Sequence, residues 1–470
     1  MYSFFVALAC LFAGYFFYGK FVEKAFKPDD RVTPAIAVND GIDYVPMKKW
    51  RIFLIQLLNI AGLGPIFGAI SGALWGPVVF FWIVGGSIFA GGVHDYLSGM
   101  MSIRHNGASI SEIVGMYLGN GMKQVMRVFS VILLVLVGVV FMVGPAGLLA
   151  KLTPQVLDVR FWLVVVLIYY FAATVLPIDK LIGKIYPFFG VCLIVMAVGV
   201  AGGILLQGYT IPEVSFANLH PKGAPIWPLM FITVACGAVS GFHATQSPMM
   251  ARCMTSEKQG RDIFYGAMIA EGVIALIWAA AGVAFYQTTG GLAVAIKDFG
   301  GAAGVVYNIT FSLLGPVGGV IAMLGVIACP ITSGDTAFRS ARLTLADWFK
   351  FEQKPIKNRL ILAVPLLAIG YMITFVDYNV IWRYFAWSNQ TLAMFALWAG
   401  AVYLKQSGAN HWIATVPATF MSAVSVTYIL QATEGFKLPI SISYPVGIAF
   451  AVVLLTIYMI KVGLKKQTGV

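Results

Sequence analysis

The chain has 470 residues, 60% of them hydrophobic and 11% charged, with a formal net charge of +12. Mean hydropathy is +0.86, and a soluble chain of this length cannot hide so much apolar surface behind so few charges. The positive balance does not signal nucleic acid, because the basic residues lie between apolar runs and not along one face. Five cysteines form neither a CxxC pair nor an even set, so they read as small packing residues and not as a disulfide framework.

Apolar runs near the ~20 residues needed to cross a bilayer predict thirteen membrane helices, at about 2–19, 51–72, 75–98, 124–148, 161–177, 185–207, 227–250, 263–287, 303–334, 358–376, 380–404, 411–430 and 441–461. The first run has no basic leader and is followed at once by Lys20, Lys24 and Lys27, the pattern of a retained helix whose C-terminal end faces the cytoplasm. With the N-terminus outside and the C-terminus in the cytoplasm, only Lys151, Arg160, Lys222, Lys297 and Lys437 fall in outer loops, with Arg383 near an outer helix end; the other 25 of the 31 basic residues lie inside. That bias fixes the expected orientation.

Two of these runs carry interruptions. The second contains Gly62-Leu63-Gly64-Pro65-Ile66-Phe67-Gly68, and the seventh contains Gly237 to Pro248. Gly and Pro at mid-membrane either allow a kink and close packing, or break the helix where its backbone lines a cavity. Each interrupted run opens a set of five, 51–207 and 227–404. Five is odd, so the two sets face opposite ways, and paired breaks in inverted halves point to a transporter's central site. The fold expected is therefore an all-α, polytopic five-plus-five inverted repeat. Residues 1–50 add a peripheral helix and linker, and 405–470 add two peripheral helices and a cytoplasmic tail.

Broken helices offer free N–H groups and a positive dipole end to a carboxylate, and free carbonyls to a cation. Beside the second break, Ser240, His243, Thr245 and Gln246 add donors and acceptors. His243 either titrates near neutral pH, serving an anion or a proton, or is a neutral imidazole held by a backbone carbonyl. Thr332, Ser333, Asp335 and Thr336 make an oxygen-rich stretch fit for Na⁺ or for a protonatable carboxylate, while an Asp335–Arg339 ion pair at i,i+4 would only tie a helix end. Glu271, inside the eighth run, is a proton-relay candidate or a structural hydrogen bond. His94 and Asp95, with Arg339, suit a gate or proton path; adjacent side chains on a helix diverge, so no metal site is expected. Trp387-Ser388-Asn389-Gln390 places polar groups at a helix contact or cavity.

No catalytic constellation is present, and neither a Walker A motif nor a soluble ATPase domain, so the energy must come from a gradient. A secondary transporter is the leading expectation. A passive facilitator and a membrane sensor using the basic 335–359 region are the alternatives. The partners expected are a small-molecule solute and membrane lipid, with no nucleic acid and no cofactor beyond a coupling H⁺ or Na⁺; no oligomeric state is implied.

Asn59-Ile60-Ala61-Gly62-Leu63-Gly64-Pro65-Ile66, Gly91-Gly92-Val93-His94-Asp95-Tyr96, Ser102-Ile103-Arg104-His105-Asn106-Gly107, Gly241-Phe242-His243-Ala244-Thr245-Gln246 and Cys329 to Ser340 together resemble the carbon starvation protein A (CstA) family. That resemblance implies uptake of peptides or pyruvate across the bacterial inner membrane under nutrient limitation, by proton symport. It also implies the LeuT-like fold of the amino acid–polyamine–organocation superfamily. In that fold the two broken helices hold the substrate, which points to Asn59, Gly62, Gly64, Gly241, His243, Thr245 and Gln246. The first broken helix and the Thr332–Thr336 face would hold the coupling cation.

Overall fold

The computed structural model describes residues 1–175 and 178–463, leaving aside the side chains of 175–187 and 463. The last two positions of the expected 161–177 run and the tail 464–470 lie outside the described residues. Each of the other expected runs is mostly helix, with non-helical stretches at 61–63, 76–78 and 234–240.

In chain order the principal helices are α1 (Tyr2–Phe26), α2 (Lys49–Ile60), α3 (Gly64–Trp75), α4 (79–104), α5 (Asn120–Leu152), α6 (Val159–Val175), α7 (Ile178–Leu206), α8 (Gly241–Ala251), α9 (Glu257–Phe285), α10 (Ala302–Phe349), α11 (Ile356–Ile373), α12 (Tyr378–Gln406), α13 (Trp412–Gln431) and α14 (Ile440–Val462). Among the described residues, eight helices are long and apolar enough to cross a membrane, or nine if the bent pair α2–α3 counts as one span. The chain is a multi-pass membrane protein.

Burial orders the bundle. The most apolar window of α9 is 83% buried, whereas that of α14 is 17% buried. The outward faces of the peripheral helices carry Val6, Phe17, Val198, Val317 and Val452 exposed, as a surface solvated by lipid tails requires. Inside, polar residues concentrate where α2, α8, α9, α10 and α12 meet, which is where backbone shielded from lipid can be irregular.

The ninth expected run, 303–334, extends well beyond its expected end. α10 continues to Phe349, with non-helical dihedrals only at Gly315 (φ 67°). Asp335, Arg339 and Arg342 look like an exit from the membrane in a hydropathy reading, yet all three are buried against protein. Helical hydrogen bonding persists because those side chains find protein partners and not lipid.

Candidate functional site

The first break spans Ala61–Leu63, between α2 and α3, whose axes bend by 54°. α3 restarts with Gly64-Pro65, and Pro costs nothing at a first turn where its missing N–H has no partner anyway. The carbonyls freed upstream are claimed from α10: Ser333 Oγ donates to Leu58 O at 2.8 Å, and Cys329 Sγ donates to Ala61 O at 2.6 Å. Gly64 faces Cys236 so closely that a methyl group there would overlap the thiol side chain. The first break thus lies directly against the second.

The second break runs from Val234 to Ser240, and α8 begins at Gly241. Its caps come from outside the segment. Asn389 on α12 accepts from Phe242 N at 2.6 Å and from Ser240 Oγ at 3.1 Å. Gln390 Nε2 donates to Val239 O at 3.1 Å, and Ser87 Oγ to Gly237 O at 3.1 Å. A Cβ at Gly241 would strike the backbone of Asn389 and Ala393. Gly64 and Gly241 therefore serve close approach of backbone and side chain at the two breaks. Within the polar run 387–390, Asn389 and Gln390 cap the broken helix, a task their residue types alone did not assign, while Trp387 Nε1 donates to Ser425 O.

Four of the singled-out residues meet in one buried row drawn from three helices. His94 Nδ1 lies 2.7 Å from Asp95 Oδ1, and His243 Nδ1 lies 2.9 Å from Asp95 Oδ2. His243 Nε2 then stands 3.4 Å from Glu271 Oε2, within ion-pair reach but longer than a good hydrogen bond. All four side chains are essentially inaccessible. The neighbours His94 and Asp95 touch, against the expectation that adjacent side chains on a helix diverge. Among the described residues no group of three His, Cys, Asp or Glu side chains is placed to hold a metal ion.

The α10 residues form a separate set. Thr332 and Thr336 hydroxyls donate to carbonyls of their own helix at 2.7 and 3.0 Å, while Ser333 reaches Leu58 O just before the first break. Asp335 accepts from Tyr169 of α6 at 2.8 Å. Arg339 pairs with Asp43 of the 27–48 linker at 3.7 Å and donates to Ala173 O at 2.5 Å. Thr245 donates to Phe242 O at 2.6 Å, and Gln246 Nε2 bonds Thr245 Oγ1 at 2.9 Å. Asn59 lies buried on the last turn of α2, ahead of the break, and Gly62 sits in it against Phe141.

An all-helical chain with two abutting broken helices and a buried polar centre has the fold of known transporters. A mutant of the Eremococcus coleocola manganese transporter matches with a TM-score of 0.55 at 11% identity, over 90% of this chain and 98% of that one. MhsT in complex with L-phenylalanine matches with a TM-score of 0.54 at 15% identity, over 89% and 98%.

The family model for carbon starvation protein CstA matches residues 1–157, 152–313 and 288–428, and the chain belongs to that family. An uncharacterized membrane protein of Haemophilus influenzae is 45% identical over 63% of this chain and 94% of its own length. The peptide transporter CstA of Bacillus subtilis is 26% identical over 90% and 89%. The pyruvate/proton symporter BtsT of Escherichia coli is 26% identical over 56% of this chain and 46% of its own.

Proposed function

We propose that this chain is a secondary active transporter of the bacterial inner membrane that imports a small carboxylate-bearing solute, a short peptide or pyruvate, by symport with protons. The observation that carries the proposal is the row His94–Asp95–His243–Glu271. In the proposed architecture of thirteen spans, 51–207 and 227–404 are inverted five-helix repeats, the N-terminus is outside and the C-terminus is cytoplasmic. The row then bridges the two repeats: α4 supplies His94 and Asp95, while α8 and α9 supply His243 and Glu271.

Two carboxyl groups and two imidazoles buried together can be near neutral only when correctly protonated. Such a row carries no net charge only when its cationic imidazoles equal its ionised carboxylates in number. Loss of one proton leaves a buried negative charge that favours opening to water. This links proton occupancy to the ability of the centre to close. The positive dipole end at the start of α8 suits the substrate carboxylate, beside the N–H groups of Phe242 and His243 that Asn389 and Ser240 already engage.

The test is uptake of labelled pyruvate and of a dipeptide into proteoliposomes, under an imposed inward proton gradient and separately under a Na⁺ gradient. Accumulation above equilibrium driven by protons, and lost in Glu271→Gln, is the expected result. Equilibration without accumulation would make the protein a facilitator, and absence of flux for every solute would return the sensor alternative.

A further inference from the structure

Gln56 and Asn59 stand three residues apart on α2, hence on one face of the helix, in the turns just before the first break. Both side chains are fully buried. Among the described residues none of their four polar atoms, Gln56 Oε1 and Nε2 and Asn59 Oδ1 and Nδ2, has a hydrogen-bond partner. Buried carboxamides are ordinarily satisfied, and two with every atom unpaired, side by side, need a reason. A bond between the two would use one donor and one acceptor and leave the others unpaired.

The surroundings say which way this face looks. Leu54, about 200° around the helix from Gln56, packs on Gly190 of α7. Phe53, one turn before Gln56, lies beside Gly266 of α9. α2 also packs directly on α8. The carboxamide face is therefore turned from α7 toward the helices that carry His243 and Glu271. Gln246 Oε1 and both Glu271 oxygens are likewise without a hydrogen-bond partner.

We propose that Gln56 and Asn59 read the peptide unit of a transported short peptide, their carboxamides hydrogen-bonding to its N–H and C=O. A carboxamide presents a donor and an acceptor side by side, complementary to a peptide group. A bare carboxylate such as pyruvate offers acceptors only and would leave both carboxamide oxygens unpaired. The assignment rests on the transport function proposed above and narrows its substrate class to peptides.

The experiment compares glycylglycine with glycylsarcosine, whose methylated peptide nitrogen has no N–H, in proton-driven uptake by the full chain in proteoliposomes. Wild type is expected to favour glycylglycine by about tenfold in kcat/KM, the effect of one lost hydrogen bond in a buried site. Gln56→Met and Asn59→Leu remove the carboxamides at similar volume, and at least one of them should reduce that preference to within about twofold. A merely structural role would change total uptake and leave the ratio intact, so a ratio unchanged in both variants overturns the assignment. Equal use of the two dipeptides by wild type overturns it as well. Proton-driven pyruvate uptake with no dipeptide uptake overturns the peptide assignment while leaving the transporter standing, and no flux of any of these solutes defeats both.

Discussion

Asn389 accepts the backbone N–H of Phe242 at 2.6 Å, so a side chain from α12 caps the helix that restarts after the second break. The same carboxamide donates to Ser240 Oγ at 2.9 Å and to Cys236 Sγ at 3.2 Å, and Cys236 in turn abuts Gly64. One residue thereby sets the geometry of both interruptions. Asn389→Ala leaves a buried N–H and a hydroxyl without partners, at about 1–3 kcal/mol for an unsatisfied buried group. The expected outcome is a lower melting temperature in detergent together with reduced uptake. Asn389→Asp restores the acceptor and should recover part of both; a variant that melts like wild type would show that the cap carries no weight.

Glu271→Gln keeps the shape of the row but removes the proton that Glu271 can gain or lose. The protein should then exchange substrate across the membrane at a rate within a few-fold of wild type while failing to accumulate it against a proton gradient. Counterflow and gradient-driven uptake, measured on the same proteoliposomes, separate the two. Asp95→Asn should be more damaging, because Asp95 is hydrogen-bonded or ion-paired to both His94 and His243. Its loss would impair exchange as well as accumulation.

The steric closeness at Gly241 gives a test that does not depend on substrate. An added Cβ meets backbone atoms of Asn389 and Ala393, which cannot rotate away as a side chain can. Overpacking of this kind costs about 1–3 kcal/mol or more. Gly241→Ala should therefore lower folded yield and melting temperature. Gly85, a glycine whose Cβ would meet nothing, should tolerate alanine, and equal tolerance at both positions would contradict the packing described.

Much of this centre was legible in the sequence because membranes punish irregularity. Gly62-Leu63-Gly64-Pro65 and Gly237 to Ser240 mark the two breaks, and an ionisable residue such as Glu271 in an apolar run demands a partner. What the sequence could not supply was the partner. Asp95 and His243 are 148 positions apart, and periodicity says nothing about contacts at that range. The extent of α10 was hidden for the same reason, since Arg339 and Arg342 read as solvated unless the protein that buries them is known. Gln56 gave no signal because a single amide in an apolar run breaks no pattern. Asp43 gave none either, lying in a polar linker.

Asp335 and Tyr169 are joined by one hydrogen bond at 2.8 Å, across α10 and α6. If that bond is the main role of Asp335, then Asp335→Asn and Tyr169→Phe should alter uptake similarly, and the double variant should be no worse than the more impaired single one. Additive losses would mean that Asp335 has a second task and would restore it as a coupling site. The double-mutant cycle on uptake rate, with and without a proton gradient, decides between them.

The linker from 27 to 48 is bound across one end of the helix bundle. Thr33 Oγ1 donates to Met254 O at 2.5 Å, Met47 N donates to Cys253 O at 3.1 Å, and Asp43 pairs with Arg339 at 3.7 Å. Arg252, next to Cys253, holds its guanidinium 5.0 Å from the centre of the Tyr44 ring. Cys253 is fully buried, so its thiol reports whether the linker is in place. In a chain with Cys253 as its only cysteine, Asp43→Ala should raise the rate of maleimide labelling about tenfold, a loss of about 1.4 kcal/mol in the closed arrangement. Substrate and a proton gradient should raise the wild-type rate toward that of the variant if the linker lifts during transport. A labelling rate unmoved by Asp43→Ala would mean that the remaining bonds hold the linker without the ion pair, and Thr33→Val would then be the informative variant because it removes the buried bond to Met254.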